Sequence, residues 1–355
     1  MQASTFKKVG KRVLQVGIPL VVLGFFVQFV WRAWGDLHSH AFTWNPWLLL
    51  LAFAGFIVQE LSYGLIWRII LARLGARLDF RTSLRIYLAS EFVRYIPGNV
   101  WHVLTRILWV NKYGVSRPIA FASMTVELIT KLAAGVLMFA LSLLFWGETE
   151  SIRVLVREEP FVIGFGLLLI VALFVVLHPR ILNGLLNTAL RVLKRQPIQL
   201  TLRYSDILLV TGAWSMSWIV AGCAFYVLVL ALWPTLPLTA LPICIGIYAL
   251  AWDIGFVTFL TPGGLGFREG TISGLFLLAL PTLPAVVGVV VAILSRLVST
   301  LAELVCVGAA YLSGGRQVRA VRQEQEGIVE RAEEEKKLHV VSISNVSIEE
   351  RVTDE

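Results

Sequence analysis

Charged and polar side chains gather at two places inside otherwise apolar sequence, and a Pro-Gly pair marks each place. Around Pro97-Gly98 stand Glu91, Arg94, Asn99, Trp101, His102 and Arg106; around Pro262-Gly263 stand Asp253, Gly264, Gly266, Arg268 and Glu269. The apolar runs that follow carry Glu127 and Lys131, then Arg296 and Glu303, and an earlier run carries Glu60. Ionisable groups at membrane depth are costly, so they pair with one another or serve a ligand or ion path. The second break reads Pro262-Gly263-Gly264-Leu265-Gly266-Phe267-Arg268-Glu269-Gly270. Its glycines leave backbone N–H groups open to an approaching ligand and start a helix whose positive end attracts anions. Arg268 adds a fixed charge in the first turn, and a phosphate is the natural guest. The same stripe, Gly266, Gly270 and Gly274, also suits close helix packing. The stripe suits both uses.

The first break opens a second helix with a polar, basic start: Asn99, Trp101, His102 and then Arg106. Arg94 suits either a ligand contact or snorkelling to the membrane face. Glu127 and Lys131 stand four residues apart, acid first, which is the favourable order for a helical ion pair. Arg296 and Glu303 are two turns apart on one face, placed to meet groups on the second broken segment.

Other chemistries find less support. Asp36, His38 and His40 alternate in one short loop, which is thin evidence for a metal or a catalytic base. An alternative function, a polytopic glycosyl- or lipid-modifying transferase, would need an accessible acid such as Asp36 or Glu60. A third is a partner subunit that binds lipid without moving it. Cys223, Cys244 and Cys306 lie in apolar segments without CxxC spacing, so no metal, cofactor or disulfide is expected. No GxxxxGK[ST] motif occurs, which argues against a pump driven directly by ATP.

The elements that must hold these groups are transmembrane helices. The 355 residues are 57% hydrophobic and 15% charged, with a mean hydropathy of +0.77. Soluble domains run about 25% charged. Spans are expected over about 14–34, 46–71, 119–146, 161–178, 207–233 and 284–312. A basic start precedes the first, but no small-residue cleavage site follows it, so it reads as a retained span rather than a signal peptide. The distribution of Lys and Arg puts both termini in the cytoplasm of a plasma-membrane protein. Between spans lie two broken pairs, 84–96 with 99–110 and 240–261 with 264–280. Most arms are short for a span, and proline breaks a helix where glycine permits a turn. Re-entrant hairpins are therefore expected, with two full spans as the alternative for the second pair.

The breaks stand 165 residues apart, in halves of about 12–146 and 161–312 that read span, span, broken hairpin, span. Opposed halves with matching interruptions point to a midplane binding site in transporters. Residues 1–315 form the membrane domain; 316–355 form a charged cytoplasmic tail, partly disordered. The tail holds 7 Lys/Arg and 10 Asp/Glu, so the body carries 24 basic against 13 acidic residues, a net of +11. Such a body suits anionic lipid headgroups rather than nucleic acid, since its charges flank spans.

The stretch from Glu91 through Arg94, Pro97, Gly98, Asn99 and Trp101 to Arg106 and Glu127, with the 262–270 motif, resembles the lysylphosphatidylglycerol synthase transmembrane-region family, or flippase-like domain. The resemblance covers about 10–315. It implies an all-α polytopic protein that moves a lipid between leaflets. In the best-known member type a separate cytosolic domain makes an aminoacylated phospholipid. Only about 40 residues follow the last span here, so aminoacyl transfer is not expected. The family often has Glu-Arg-x-x-Asp where this chain reads Glu127-Leu128-Ile129-Thr130-Lys131, so the acidic role does not carry over to Lys131. The implied partner is a phosphate-bearing membrane lipid. Its headgroup would be held by Arg94, Arg106, Arg268 and Arg296, with Glu127, Asp253 and Glu269 balancing or orienting them.

Overall fold

The structure is a computed structural model that describes residues 42–91, 101–146, 175, 177–192, 202–258, 264 and 266–313. Every regular element among them is helical. In chain order these are α1 (Pro46–Arg73), α2 (Phe80–Glu91), α3 (Trp101–Asn111), α4 (Arg117–Ser142, then one 3₁₀ turn Leu143–Phe145), α5 (Pro179–Val192), α6 (Tyr204–Leu232), α7 (Ala240–Val257), α8 (Phe267–Ala279) and α9 (Ala285–Ser313). Five of them, α1, α4, α6, α7 and α9, are long and apolar enough to cross a bilayer. The chain is a multi-pass α-helical membrane protein. The spans expected over 14–34 and most of 161–178 lie outside the described residues, as do the Asp36–His40 loop and both Pro-Gly pairs. Chain contacts divide the molecule into Met1–Gly308 and Ala309–Glu355; of the second unit only the last turn of α9 is described.

Local chemistry sets the helix ends. Asn45 caps α1 by accepting from the amides of Trp47 and Leu48, at 3.0 and 3.3 Å, and Pro46 fills the first position. The helix ends at Gly75 (φ 84), where the Gly75 amide bonds Ala72 O and the Ala76 amide bonds Leu71 O. A left-handed residue is needed there, and glycine takes it without a Cβ penalty. Asp79 starts α2 by accepting from the Thr82 amide at 3.0 Å, so this helix begins four residues before the expected 84. Helix α7 stops at Val257, short of the expected 261; the Thr258 amide still reaches Ile254 O, but its backbone leaves the helix.

At about 1.5 Å per residue, α8 is only about 20 Å long, against roughly 30 Å of hydrocarbon, and the described parts of α2 and α3 measure about 18 and 16 Å. Helix α7 reaches about 27 Å. Helix α6 is the hub, packed on α1, α4 and α7, and it buries Trp214, Trp218 and Phe225 completely. Small residues let the helices approach. A Cβ on Gly55 would stand 2.7 Å from the Cβ of Ala224, and one on Gly222 would collide with Ile245. Outward positions of α1 expose Leu50, Leu51 and Val58, as a lipid-facing surface requires.

Candidate functional site

Arg106 ties the first broken segment together. It projects from α3 and is 1% exposed. Its Nε donates to Ser90 Oγ at 2.9 Å, its Nη1 to Glu127 at 2.8 Å, and its Nη2 to Glu91. Its guanidinium carbon sits 3.8 Å above the Tyr87 ring, and the Tyr87 hydroxyl donates to the second oxygen of Glu127 at 2.8 Å. One cation therefore bridges carboxylates from α2 and α4. All three guanidinium nitrogens are engaged within the protein. Arg106 thus serves first as the keystone of a buried ion cluster rather than as an open phosphate clamp.

Glu127 spends its carboxylate on Arg106 and Tyr87, while Lys131, one turn on, lies among aromatic rings. Its Nζ is 3.6 Å from the Tyr63 ring centre, 3.9 Å from Trp252, 4.9 Å from Trp214 and 5.9 Å from Trp218. Those rings come from α1, α6 and α7. Cation–π attraction is strongest when the charge is desolvated, and Lys131 is 4% exposed. The Trp218 indole also donates to the Lys131 carbonyl at 3.3 Å.

Between these groups lies a cavity of about 180 Å³, walled by Glu91, His102, Arg106, Glu127, Lys131 and Trp252, among others. It joins α2, α3 and α4 of the first half to α7 of the second. Asp253 follows Trp252 and is 5% exposed. Among the described residues, neither of its carboxylate oxygens has a hydrogen-bond partner. The carboxylate rests on Gly135 of α4, where an added Cβ would stand 2.7 Å from Cγ.

The second broken segment is built differently. Gly266 takes φ 89 and starts α8. Glu269 Oε2 accepts from the Gly266 amide at 2.7 Å, closing the helix start on itself. The other oxygen, Oε1, lies 3.9 Å from Arg296 Nε on α9, the cross-element pairing expected from sequence. Arg268 points inward and is 7% exposed. Its guanidinium carbon lies 4.7 Å from the Tyr248 ring centre. Its Nε and Nη2 are buried and have no hydrogen-bond partner among the described residues. Those two nitrogens form one edge of the guanidinium, the edge that meets a carboxylate or phosphate with two parallel bonds. Gly264 (φ 69) packs against Gly255 of α7, and a Cβ on Gly255 would be 3.2 Å from that of Arg268. Only glycine fits this crossing.

Of the residues singled out from sequence, the structure brings His102, Arg106, Glu127, Lys131 and Asp253 together around α4 and α7. It brings Gly264, Gly266, Arg268, Glu269 and Arg296 together around α7, α8 and α9. Arg94, Pro97, Gly98, Asn99 and Gly263 lie outside the described residues, as does the side chain of Trp101. Sequence reasoning missed Tyr87, Ser90, Gly135, Tyr248 and the rings around Lys131. The spacing of Trp214 and Trp218, one turn apart, is the one sequence sign of a shared aromatic face.

Residues 13–308 match the family model described as "Lysylphosphatidylglycerol synthase TM region". The chain belongs to this family. The match spans all the described elements up to the last turn of α9. It therefore includes both charged clusters, in keeping with the resemblance carried by the two Pro-Gly motifs. A comparison with the curated proteins finds no match.

Proposed function

We propose that this member of the lysylphosphatidylglycerol synthase transmembrane-region family binds an anionic lipid, a phospholipid or polyprenyl-phosphate type, and carries its headgroup between leaflets. It does so without chemical modification of the lipid. The observation that carries the reading is Arg268. A guanidinium removed from water with two parallel donors unfilled is costly unless an acceptor arrives. A lipid phosphate supplies two oxygens at the spacing the fork requires. The positive end of α8 lies in the same turn and adds its field.

Several features support the wider scheme. Helix α8 is too short to cross the hydrocarbon, which suits a hairpin that enters and returns. The placement of α2, α3 and α8 in the two halves suits an inverted repeat. The cavity between α2, α3, α4 and α7 offers the headgroup a polar stop, while acyl or prenyl tails stay in the bilayer. Arg106 keeps that cavity in shape, and Arg296 with Glu269 steadies the start of α8. The excess of basic residues at the inner loops favours cytoplasmic termini in the plasma membrane.

The test is translocation of a head-labelled anionic phospholipid in reconstituted vesicles. A charge-assisted hydrogen bond contributes roughly 1.5–3 kcal/mol, so Arg268→Ala should slow translocation roughly tenfold to a hundredfold. Arg268→Lys should recover only part, because an ammonium lacks the two-pronged edge. Unchanged translocation in Arg268→Ala vesicles would refute the proposal.

A further inference from the structure

Asp253 is another buried charged group with unfilled polar atoms, and its surroundings differ from those of Arg268. Among the described residues both carboxylate oxygens accept no hydrogen bond, at 5% exposure. An ionised carboxylate in such a place costs several kcal/mol unless a cation or donors attend it. From α4 the charged group that faces it is Lys131, with Glu127 one turn further along and engaged by Arg106 and Tyr87. Packed on α7 from α8 is Arg268, seated at Gly255. Helix α6 presents its indoles to this level, and its one carboxylate, Asp206, lies at its first turn. Lys131 meanwhile holds its ammonium over the Tyr63 and Trp252 rings. The cage therefore receives the cation, and a proton on Asp253 is the simplest way to satisfy the acid.

We infer that Asp253 is a proton-binding site that couples lipid movement to a proton, the two crossing together. The inference rests on the proposed transport of an anionic lipid. Charge balance links the two events. Counting His102 as neutral, the cavity holds Glu91 and Glu127 against Arg106 and Lys131, which cancel; an ionised Asp253, next in sequence to the Trp252 wall and facing Lys131, then leaves one surplus negative charge. When a proton from the aqueous phase forms an O–H bond with an Asp253 oxygen, that surplus disappears and an anionic headgroup can enter. When the headgroup leaves, the O–H bond breaks, the proton returns to water, and the carboxylate turns to Lys131. One negative headgroup and one proton then move with no net charge. Residues 252–256 of α7 carry the cavity wall (Trp252, Phe256), the acid (Asp253) and the seat of Arg268 (Gly255), so one short helical stretch serves all three.

The test uses the full chain in vesicles with a head-labelled anionic phospholipid and an imposed pH difference. For one proton per lipid, one pH unit corresponds to about 1.4 kcal/mol and drives roughly a tenfold lipid asymmetry between leaflets. The asymmetry should not change when an ionophore sets the membrane potential. Asp253→Asn, which keeps the shape of the protonated acid, should still translocate lipid but accumulate none. An indifferent wild type, or an Asp253→Asn protein that responds as the wild type does, overturns the inference. If the wild type moves no lipid under any gradient, the transport reading fails, and infrared spectroscopy judges the proton site alone. A carboxylic-acid C=O band at neutral pH that shifts on isotopic labelling of aspartate supports it; absence of the band overturns it.

Discussion

Arg106 and Arg268 are both buried guanidinium groups, yet their neighbours assign them different work. Arg106 meets two carboxylates and a hydroxyl, so removing it strands two negative charges. Arg106→Met should destabilise the fold by about 3–5 kcal/mol, readable as a drop in the thermal midpoint in detergent. Tyr87→Phe removes one donor to Glu127 and should cost less, roughly 1.5–3 kcal/mol. Equal losses in the two variants would contradict the keystone role of Arg106. Sequence alone marks Arg106, Glu127, Asp253 and Arg268 because charge is scarce in apolar runs. It does not reveal which arginine is satisfied, since Glu91 and Glu127 reach Arg106 from different helices. The cage around Lys131 is hidden for a similar reason: its rings come from residues 63, 214, 218 and 252, and aromatic residues in membrane helices are common.

Helix positions depend on a few glycines at crossings. Gly135 and Gly222 have no room for a methyl group, against the Asp253 carboxylate and Ile245 respectively. Overpacking costs about 1–3 kcal/mol. Gly222→Ala should therefore lower stability, whereas Gly184→Ala, at a position facing open space, should not; the comparison of the two thermal midpoints checks this. Near the end of α1, the exposed Asp79 holds the start of α2. Hydrogen bonds from Thr82 lower its pKa below the ordinary carboxylate value. A depressed carboxylate stabilises above its unfolded pKa, and that contribution is lost as pH falls through the lowered value. The protection factor of the Thr82 amide, its exchange relative to the intrinsic rate at each pH, should accordingly fall on acidification, and Asp79→Asn should weaken that dependence. Span positions 46, 119, 207 and 284 are legible within a few residues, because length and apolarity alone set them. The start of α2 is less so, since one aspartate outweighs the hydrophobic pattern.

At the scale of the molecule, α7 connects the two clusters. It borders the cavity of the first half and seats the α8 start of the second. The length of α7 is legible in the sequence, which allows the first arm of the second pair to span; the place of α7 between the two charged clusters is not, because residues of several helices build each cluster. An anionic guest held at Arg268, a proton at Asp253 and a cavity kept open by Arg106 form one scheme. Its foundation is the unfilled edge of the Arg268 guanidinium. The most direct measurement is mass spectrometry of lipid retained when the protein is purified gently from membranes. Phosphate-bearing lipid should leave with the wild-type protein at a fixed ratio and fall by about tenfold or more in Arg268→Ala, while Gly184→Ala keeps it. Equal retention by the wild type and Arg268→Ala would contradict the account at its base.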